Sequence, residues 1–294
     1  MTPGGAGEAH LLEAYETTAR PLTPDDGATL HELSVSVSWP HRLRDLAFLI
    51  EVGDGFVARD EIGRAVGSAM YFPMGEDFAM IGMMMTTPRL QCQGAGRWLL
   101  RKVMERCTGR DLRLNATRQA YRLYESAGFR PVRTIHLHQG IVRRFPLPPT
   151  PQGALLRESG PEDFDVIASL DLAAFGADRR AILRAIMPEC EGLILERDGA
   201  PVGFALGREF GRGWLVGPAV AADEAAALAM IAPLVARRAG GFVRVDTGQD
   251  TAALNGFLLE AGLGHSDTVT SMTFGRKRTG GDPGVFALMS HSLG

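Results

Sequence analysis

Along the chain, apolar positions alternate first with a period of two and then with a period near 3.6. This is the signature of strands and helices taking turns. Gly55–Arg59 and Ala65–Phe72 read as two strands joined by a turn at Asp60–Arg64. Phe78–Met85 is a continuous apolar run that reads as a buried strand, and the break comes at Pro88. A helix starts near Gly96, with Trp98, Leu99, Val103 and Met104 as its buried face. Later, Gly192–Glu196 and Val202–Arg208 read as strands about a turn at Arg197–Ala200. Residues 1–20 read as a loose or helical lead-in. Strands interleaved with helices predict an α/β chain.

The pattern runs through the chain twice. Leu22–Gly27 and Glu158–Asp163 open two similar series of helix, strands, Arg-bearing helix, short strand and helix. These series close on Ala127, Gly128 and Phe129 and on Ala261, Gly262 and Leu263. A period of about 140 residues predicts one fold duplicated. Chance likeness between two α/β patterns is the alternative. Between the copies, Arg144–Gly153 holds four prolines and no apolar periodicity, as in a stiff linker. The expected division is residues 1–145, a linker over 146–153, a second domain over 154–275 and a tail over 276–294. The tail's apolar stretch, Val285–Met289, is too short to form a domain and suits docking on the body.

The 294 residues suffice for a core in each half. With 45% hydrophobic residues, whole-chain disorder is excluded. The longest apolar run falls far short of the roughly 20 residues that span a bilayer. With no signal-type segment visible, a cytoplasmic protein without a membrane partner is expected. Three cysteines, Cys92, Cys107 and Cys190, form no CxxC pair, which argues against a disulfide framework and a structural metal. A net charge of −3 does not suit a nucleic-acid binder. Yet Arg89–Arg133 holds eleven basic and three acidic residues, which is either a solvated helix face or a seat for a polyanion.

The chemistry concentrates where Phe78–Met85 gives way to Gln91, Cys92, Gln93, Gly94, Ala95 and Gly96 and then to a helix carrying Arg97, Arg101 and Lys102. Strand, glycine turn and helix is a layout for pyrophosphate, because a helix N-terminus presents free N–H groups and glycines let phosphate oxygens approach. It is not the dinucleotide fingerprint, since position 99 is Leu. It is not a P-loop either, since no Gly-Lys-Ser/Thr follows.

Gln91, Gly94 and Gly96 in this spacing resemble the acyl-CoA pyrophosphate motif of the GNAT superfamily of N-acetyltransferases. Leu114–Phe129, with Asn115 at a strand end and Leu123, Tyr124, Gly128 and Phe129 on and after a helix, is similar to that family's second signature. The whole chain resembles tandem members whose second copy is degenerate. Ser38–Arg42 and Ile135–Gly140 fit that subgroup. The resemblance implies two tandem GNAT-like domains of α+β type, each with a mixed, mostly antiparallel sheet. It implies acetyl-CoA as co-substrate, a small-molecule, peptide or antibiotic amine as acceptor, and no metal.

Residue by residue, it implies that the backbone at Met84, Met85 and Thr86 holds pantetheine. The amides of Gln91, Cys92, Gln93, Gly94, Ala95 and Gly96, with Arg97, hold the pyrophosphate. Cys92, where Gly is frequent in relatives, is a departure. The methionines also serve as core filler. Tyr124 takes the place of the tyrosine that protonates departing coenzyme A. A phenol of pKa about 10 is a weak donor to a thiol of about 8.5. A hydrogen bond that strengthens as charge develops is nevertheless enough. Asn115 orients pantetheine amides or a water. Outside the motif, Tyr124 reads as a packing residue and Asn115 as a helix cap.

The acceptor ammonium must lose a proton. His41, His136, His138 and a water wire all remain open for this, and no base is singled out.

The second copy lacks the glycine loop. Asp223 and Glu224 stand where a pyrophosphate would be repelled, and Leu258 takes the tyrosine position. Asp246, matching Asn115, reads as a helix cap or as a contact for a cationic acceptor. An acetyltransferase working in the first domain is the leading reading. A non-catalytic acyl-CoA-binding or regulatory module is the alternative.

Overall fold

The computed structural model describes residues 8–12, 15–88, 94–278 and 280–294. The first half runs β1 (Glu8–Leu12), β2 (Tyr15–Pro21), α1 (Gly27–Ser36), α2 (Leu43–Val52), β3 (Asp54–Asp60), β4 (Ala65–Met74), β5 (Phe78–Thr86), α3 (Ala95–Arg106), β6 (Asp111–Ala116), α4 (Tyr121–Ser126) and β7 (Arg130–Ile141). The second runs β8 (Ala154–Glu158), α5 (Phe164–Phe175), α6 (Arg180–Ile186), β9 (Glu191–Arg197), β10 (Ala200–Phe210), β11 (Gly213–Ala221), α7 (Glu224–Ala236), β12 (Phe242–Thr247), α8 (Ala252–Glu260) and β13 (Gly264–Phe274). A last strand, β14 (Gly284–Ala287), follows. From β2 and β8 onward the halves match element for element, as the repeat in the sequence predicts. The lead-in is corrected: residues 8–12 and 15–21 are strands, not a loose or helical segment.

The fold is mixed and mostly antiparallel, but the expectation of one sheet per half is corrected. A single sheet runs β1-β2-β3-β4-β5-β6-β13-β7-β12-β11-β10-β9-β8. Each half sends its last strand into the other. β13 pairs with β6, and β7 pairs with β12. The two exchanged strands also pair with each other. Residues 142–153, between β7 and β8, hold no helix or strand.

Packing follows the same interlock. One core cluster joins α1, α2, α5 and α6 with residues of β4, β5, β10 and β11. On the opposite side, α3 and α4 cover the first half, and α7 and α8 cover the second.

The segment expected to be a tail is structural. β14 pairs with β11 at Ala219↔Ala287, Val220↔Val285 and Ala221↔Gly284. Leu288, Met289 and Leu293 are buried. Arg179 and Asp171, both fully buried, meet at 2.6 Å, and Arg179 Nη1 also donates to the carbonyls of Leu293 and Gly294. No helix among the described residues is long and apolar enough to cross a membrane.

Candidate active site

β5 and β6 run parallel and pair only from Phe78↔Asp111 to Ile81↔Leu114, and then part. A bulge sits at the parting. β4 pairs with β5 at Met70↔Gly82 and again at Ser68↔Met85, so Met83 and Met84 together face Ala69. Packing of the methionines accounts for this extra residue. Met80, Met83 and Met85 all belong to the core on the α1/α2 side, and strict alternation cannot put positions 80 and 83 on one face. Met83 pays with a left-handed φ of 50°, and its carbonyl accepts from Ser68 Oγ at 2.8 Å. Of the three residues assigned to pantetheine, Met84 lines the cleft, while Met85 and Thr86 stay paired with Ser68 and Gly67.

The cleft at the parting has a volume of about 240 Å³. Tyr124 and Asn115 both reach it, as the second motif requires. Tyr124 lies on α4, is 5% exposed, and packs edge-on against Phe129 at 6.1 Å between ring centroids. Burial pushes its phenol above the ordinary value, so it is a proton-bearing donor at neutral pH. Asn115 Nδ2 donates to the carbonyl of His291 at 2.8 Å, so its amide holds the C-terminal segment in the cleft. Gly82 makes room there, because a Cβ at that position would lie 2.5 Å from Ser292 Oγ.

Gln91, Cys92 and Gln93 lie outside the described residues. Gly94 is the N-cap of α3 at φ 91°, a conformation that favours glycine. It offers no side chain to the helix's first amides, and no acidic residue occupies the first turn. Ala95, Gly96 and Arg97 follow, with Arg97 Nη2 donating to Ser126 Oγ at 3.2 Å. A helix terminus capped by glycine, with cations nearby, suits a pyrophosphate, and the parted strands suit an extended amide-bearing arm. These residues fit acyl-CoA.

The other wall of the cleft comes from both halves. From the α1–α2 connection, Trp39 packs on His41 with ring centroids 5.7 Å apart, and His41 meets Phe210 at the end of β10 at 5.5 Å. Asp45 Oδ2 accepts from the Gly211 amide at 2.9 Å, and Arg42 pairs with Glu209 at 3.1 Å, fixing this contact. Arg244, Asp246, Asp267 and His291 supply polar groups. Arg244 holds Asp246 at 2.7 Å, and His291 Nε2 lies 3.3 Å from the same carboxylate. Burial pushes both His41 and His291 down to about 4, so both imidazoles are neutral near pH 7. His136 and His138 lie elsewhere, beside His265, with centroids 5.6 and 5.4 Å away.

Sequence reading missed His291, Arg244, Phe210 and Asp267. The signal within reach was Ser38–Arg42, a segment singled out by resemblance, which lands at the cleft.

The second half has lost each feature. Asp223 caps α7 and accepts from the Ala226 amide at 2.8 Å, with Glu224 in the first turn. Leu258 is fully buried in the second core. β11 and β12 pair at Trp214↔Val243 and Leu215↔Arg244 and then part, as β5 and β6 do. Here β14 occupies the gap, with the Leu288 amide bonded to the Asp246 carbonyl at 2.8 Å. Sequence reading anticipated the first two losses. The third came from the segment read as a tail.

Comparison with known proteins agrees with this two-part architecture. Residues 22–129 match the acetyltransferase (GNAT) family, and residues 167–287 match an acetyltransferase (GNAT) domain. A Bacillus subtilis protein named uncharacterized N-acetyltransferase YitH is 27% identical over 288 residues, covering 92% of this chain and 99% of that one. A structure described as a putative acetyltransferase from Pyrococcus horikoshii superposes with a TM-score of 0.74 at 20% identity, over 95% of this chain and 96% of that chain. A tandem GNAT protein from the clavulanic acid biosynthesis pathway superposes with a TM-score of 0.61 at 16% identity, over 89% and 99%.

Proposed function

The chain belongs to the GNAT superfamily of acetyltransferases, with two copies of the domain in tandem, and we propose that its first half transfers an acetyl group from acetyl-CoA to a primary amine. One observation carries this reading. The parted strands, glycine-capped helix terminus and buried tyrosine occur together in the first half, while β14 and Asp223 fill the matching places in the second.

Acetyl-CoA supplies the thioester whose acyl group the amine takes. The amides at the start of α3, with Arg97, hold the diphosphate, and the unpaired edge of β5 near Met84 receives the pantetheine arm. Tyr124 Oη donates toward the departing sulfur, an interaction that strengthens as negative charge develops. Asn115 works indirectly, holding His291 and Ser292 so that the cleft keeps its shape.

The amine enters from the wall shared by the halves. Trp39 and Phe210 offer apolar and cation–π surface. Asp267 is exposed there; its Oδ1 accepts from the Thr268 amide at 2.8 Å, and among the described residues no cation pairs with it as Arg244 does with Asp246. This wall favours an amine carried on an apolar or aromatic body. Neutral His41 and His291 do not repel it.

The test is thiol release from acetyl-CoA against a panel of aliphatic, aromatic and peptide amines. Amine-dependent release above thioester hydrolysis supports an enzyme. Tight acetyl-CoA binding with no such release across the panel supports a binding module instead.

A further inference from the structure

A second cavity, of about 330 Å³, lies between β6, β7, the end of α5 and the segment leading to β14. It shares no lining residue with the acyl-transfer cleft. Four cationic residues border it, Arg113, Arg133, Lys277 and Arg278, and among the described residues no carboxylate lines it.

Arg278 is balanced by Asp77 and by Asp111, the latter at 3.1 Å. Arg113, Arg133 and Lys277 have no carboxylate partner among the described residues. Arg113 is the decisive one. It is 7% exposed, its Nη2 donates to the Arg278 carbonyl at 2.7 Å, and its Nε has no partner. Its guanidinium lies 5.4 and 5.1 Å from the ring centroids of Phe78 and Phe175. The nearby carboxylates are committed, Asp171 to Arg179 and Asp111 to Arg276 and Arg278.

The duplicated fold supplies an internal control. β6 and β12 are equivalent strands, and Arg113 and Arg244 are equivalent positions on them. Two residues on, β12 carries Asp246, whose carboxylate takes Arg244 at 2.7 Å. At that place β6 carries Asn115, which has no charge to offer. A buried, unpaired cation is costly to keep. Burial and the charges of Arg133, Arg179 and Arg278 hold its pKa down to about 10. At the end of α5 the Leu172 carbonyl accepts from the Gly176 amide, the Ala173 carbonyl from the Gly281 amide, and the Gly176 carbonyl from Arg278 Nη1 at 3.4 Å.

We propose that this cavity binds a small polyanion, a phosphate ester or a di- or tricarboxylate, whose oxygens neutralise Arg113, Arg133 and Lys277. Guanidinium groups match planar carboxylate and phosphate oxygens in paired hydrogen bonds. The segment bordering the cavity continues through β14 to His291 in the cleft, so an occupant also braces the acceptor wall.

The probes are pyrophosphate and citrate, titrated into the full-length protein by calorimetry, with thermal melting in parallel. The two arms separate phosphate from carboxylate chemistry. Wild-type protein should bind at least one probe, and Arg113→Met should weaken it roughly tenfold or more. Lys277→Met, at an exposed position, should weaken it as well and keeps the test open if Arg113→Met does not fold. Arg97→Met, at the start of α3, should leave the citrate affinity unchanged and remove only pyrophosphate seated at the diphosphate position. No binding of either probe by wild type overturns the proposal. So does binding that Arg113→Met and Lys277→Met leave intact, or binding that Arg97→Met alone removes.

Discussion

Asn115 on β6 donates its side-chain amide to the backbone carbonyl of His291, 2.8 Å away and 176 positions later. This bond ties the end of the chain into the cleft of the first half. Losing it should cost about 1 kcal/mol of stability. Asn115→Ala is therefore expected to melt slightly earlier. It should also lose turnover more than acetyl-CoA affinity, because the acceptor wall loosens. Equal kcat and KM in variant and wild type would leave the bond without a functional role.

The segment ending at Gly294 has a stronger anchor in Arg179 and Asp171. Both side chains are fully buried, and they meet through two hydrogen bonds of 2.9 and 2.6 Å. Arg179→Met leaves Asp171 charged and uncompensated, at a cost of about 3–5 kcal/mol. Adding Asp171→Leu should recover much of that loss, since the pair is then replaced rather than broken. Denaturant titration of the three proteins decides it, and a double variant no more stable than Arg179→Met contradicts the pairing.

Much of this arrangement was legible in the sequence, and the rest was hidden for physical reasons. Alternation along Ala65–Phe72 placed β4, the continuous apolar run Phe78–Met85 placed β5, and the glycines at 94 and 96 placed the start of α3. The bulge at Met83 was not legible, because only the packing shows that Met80, Met83 and Met85 share one core face. The exchange of β7 and β13 was not legible, because alternation says which face a strand buries and nothing about which neighbour it pairs with. His291 escaped because its segment is short, glycine-rich upstream and without periodicity. Only packing against Gly82 and Arg179 shows that it is built in.

His41 and His291 make the protein sensitive to acid. Their folded values, pushed down to about 4 by burial, lie below the ordinary 6.5. Between those values the unfolded chain binds more protons than the folded one, so stability rises with pH through the window and is lost as pH falls toward 4. Melting temperature should drop on acidification from 6.5 to 4, and His41→Phe should flatten part of the drop. The same neutrality has a kinetic signature. Turnover should climb from pH 6 to 8 with the free-amine fraction of the acceptor, without an inflection near 6.5. An inflection there that His41→Phe or His291→Phe abolishes would contradict the buried, neutral assignment.

Acetyl-CoA should bind once per chain. Gly94 holds φ 91° at the start of α3, so Gly94→Glu brings both backbone strain and a negative charge to the diphosphate position. Calorimetry should give one site for wild type and none for the variant. Two equivalent sites would mean that Asp223 and β14 do not close the second half.

The most direct measurement is coenzyme A release by Tyr124→Phe, with an amine that wild type turns over. The substitution keeps the ring against Phe129 and removes only the hydroxyl. If Tyr124 donates to the departing sulfur, kcat should fall roughly ten- to a thousand-fold while acetyl-CoA affinity changes little. Turnover that survives the substitution unchanged would contradict a catalytic role for the cleft's tyrosine.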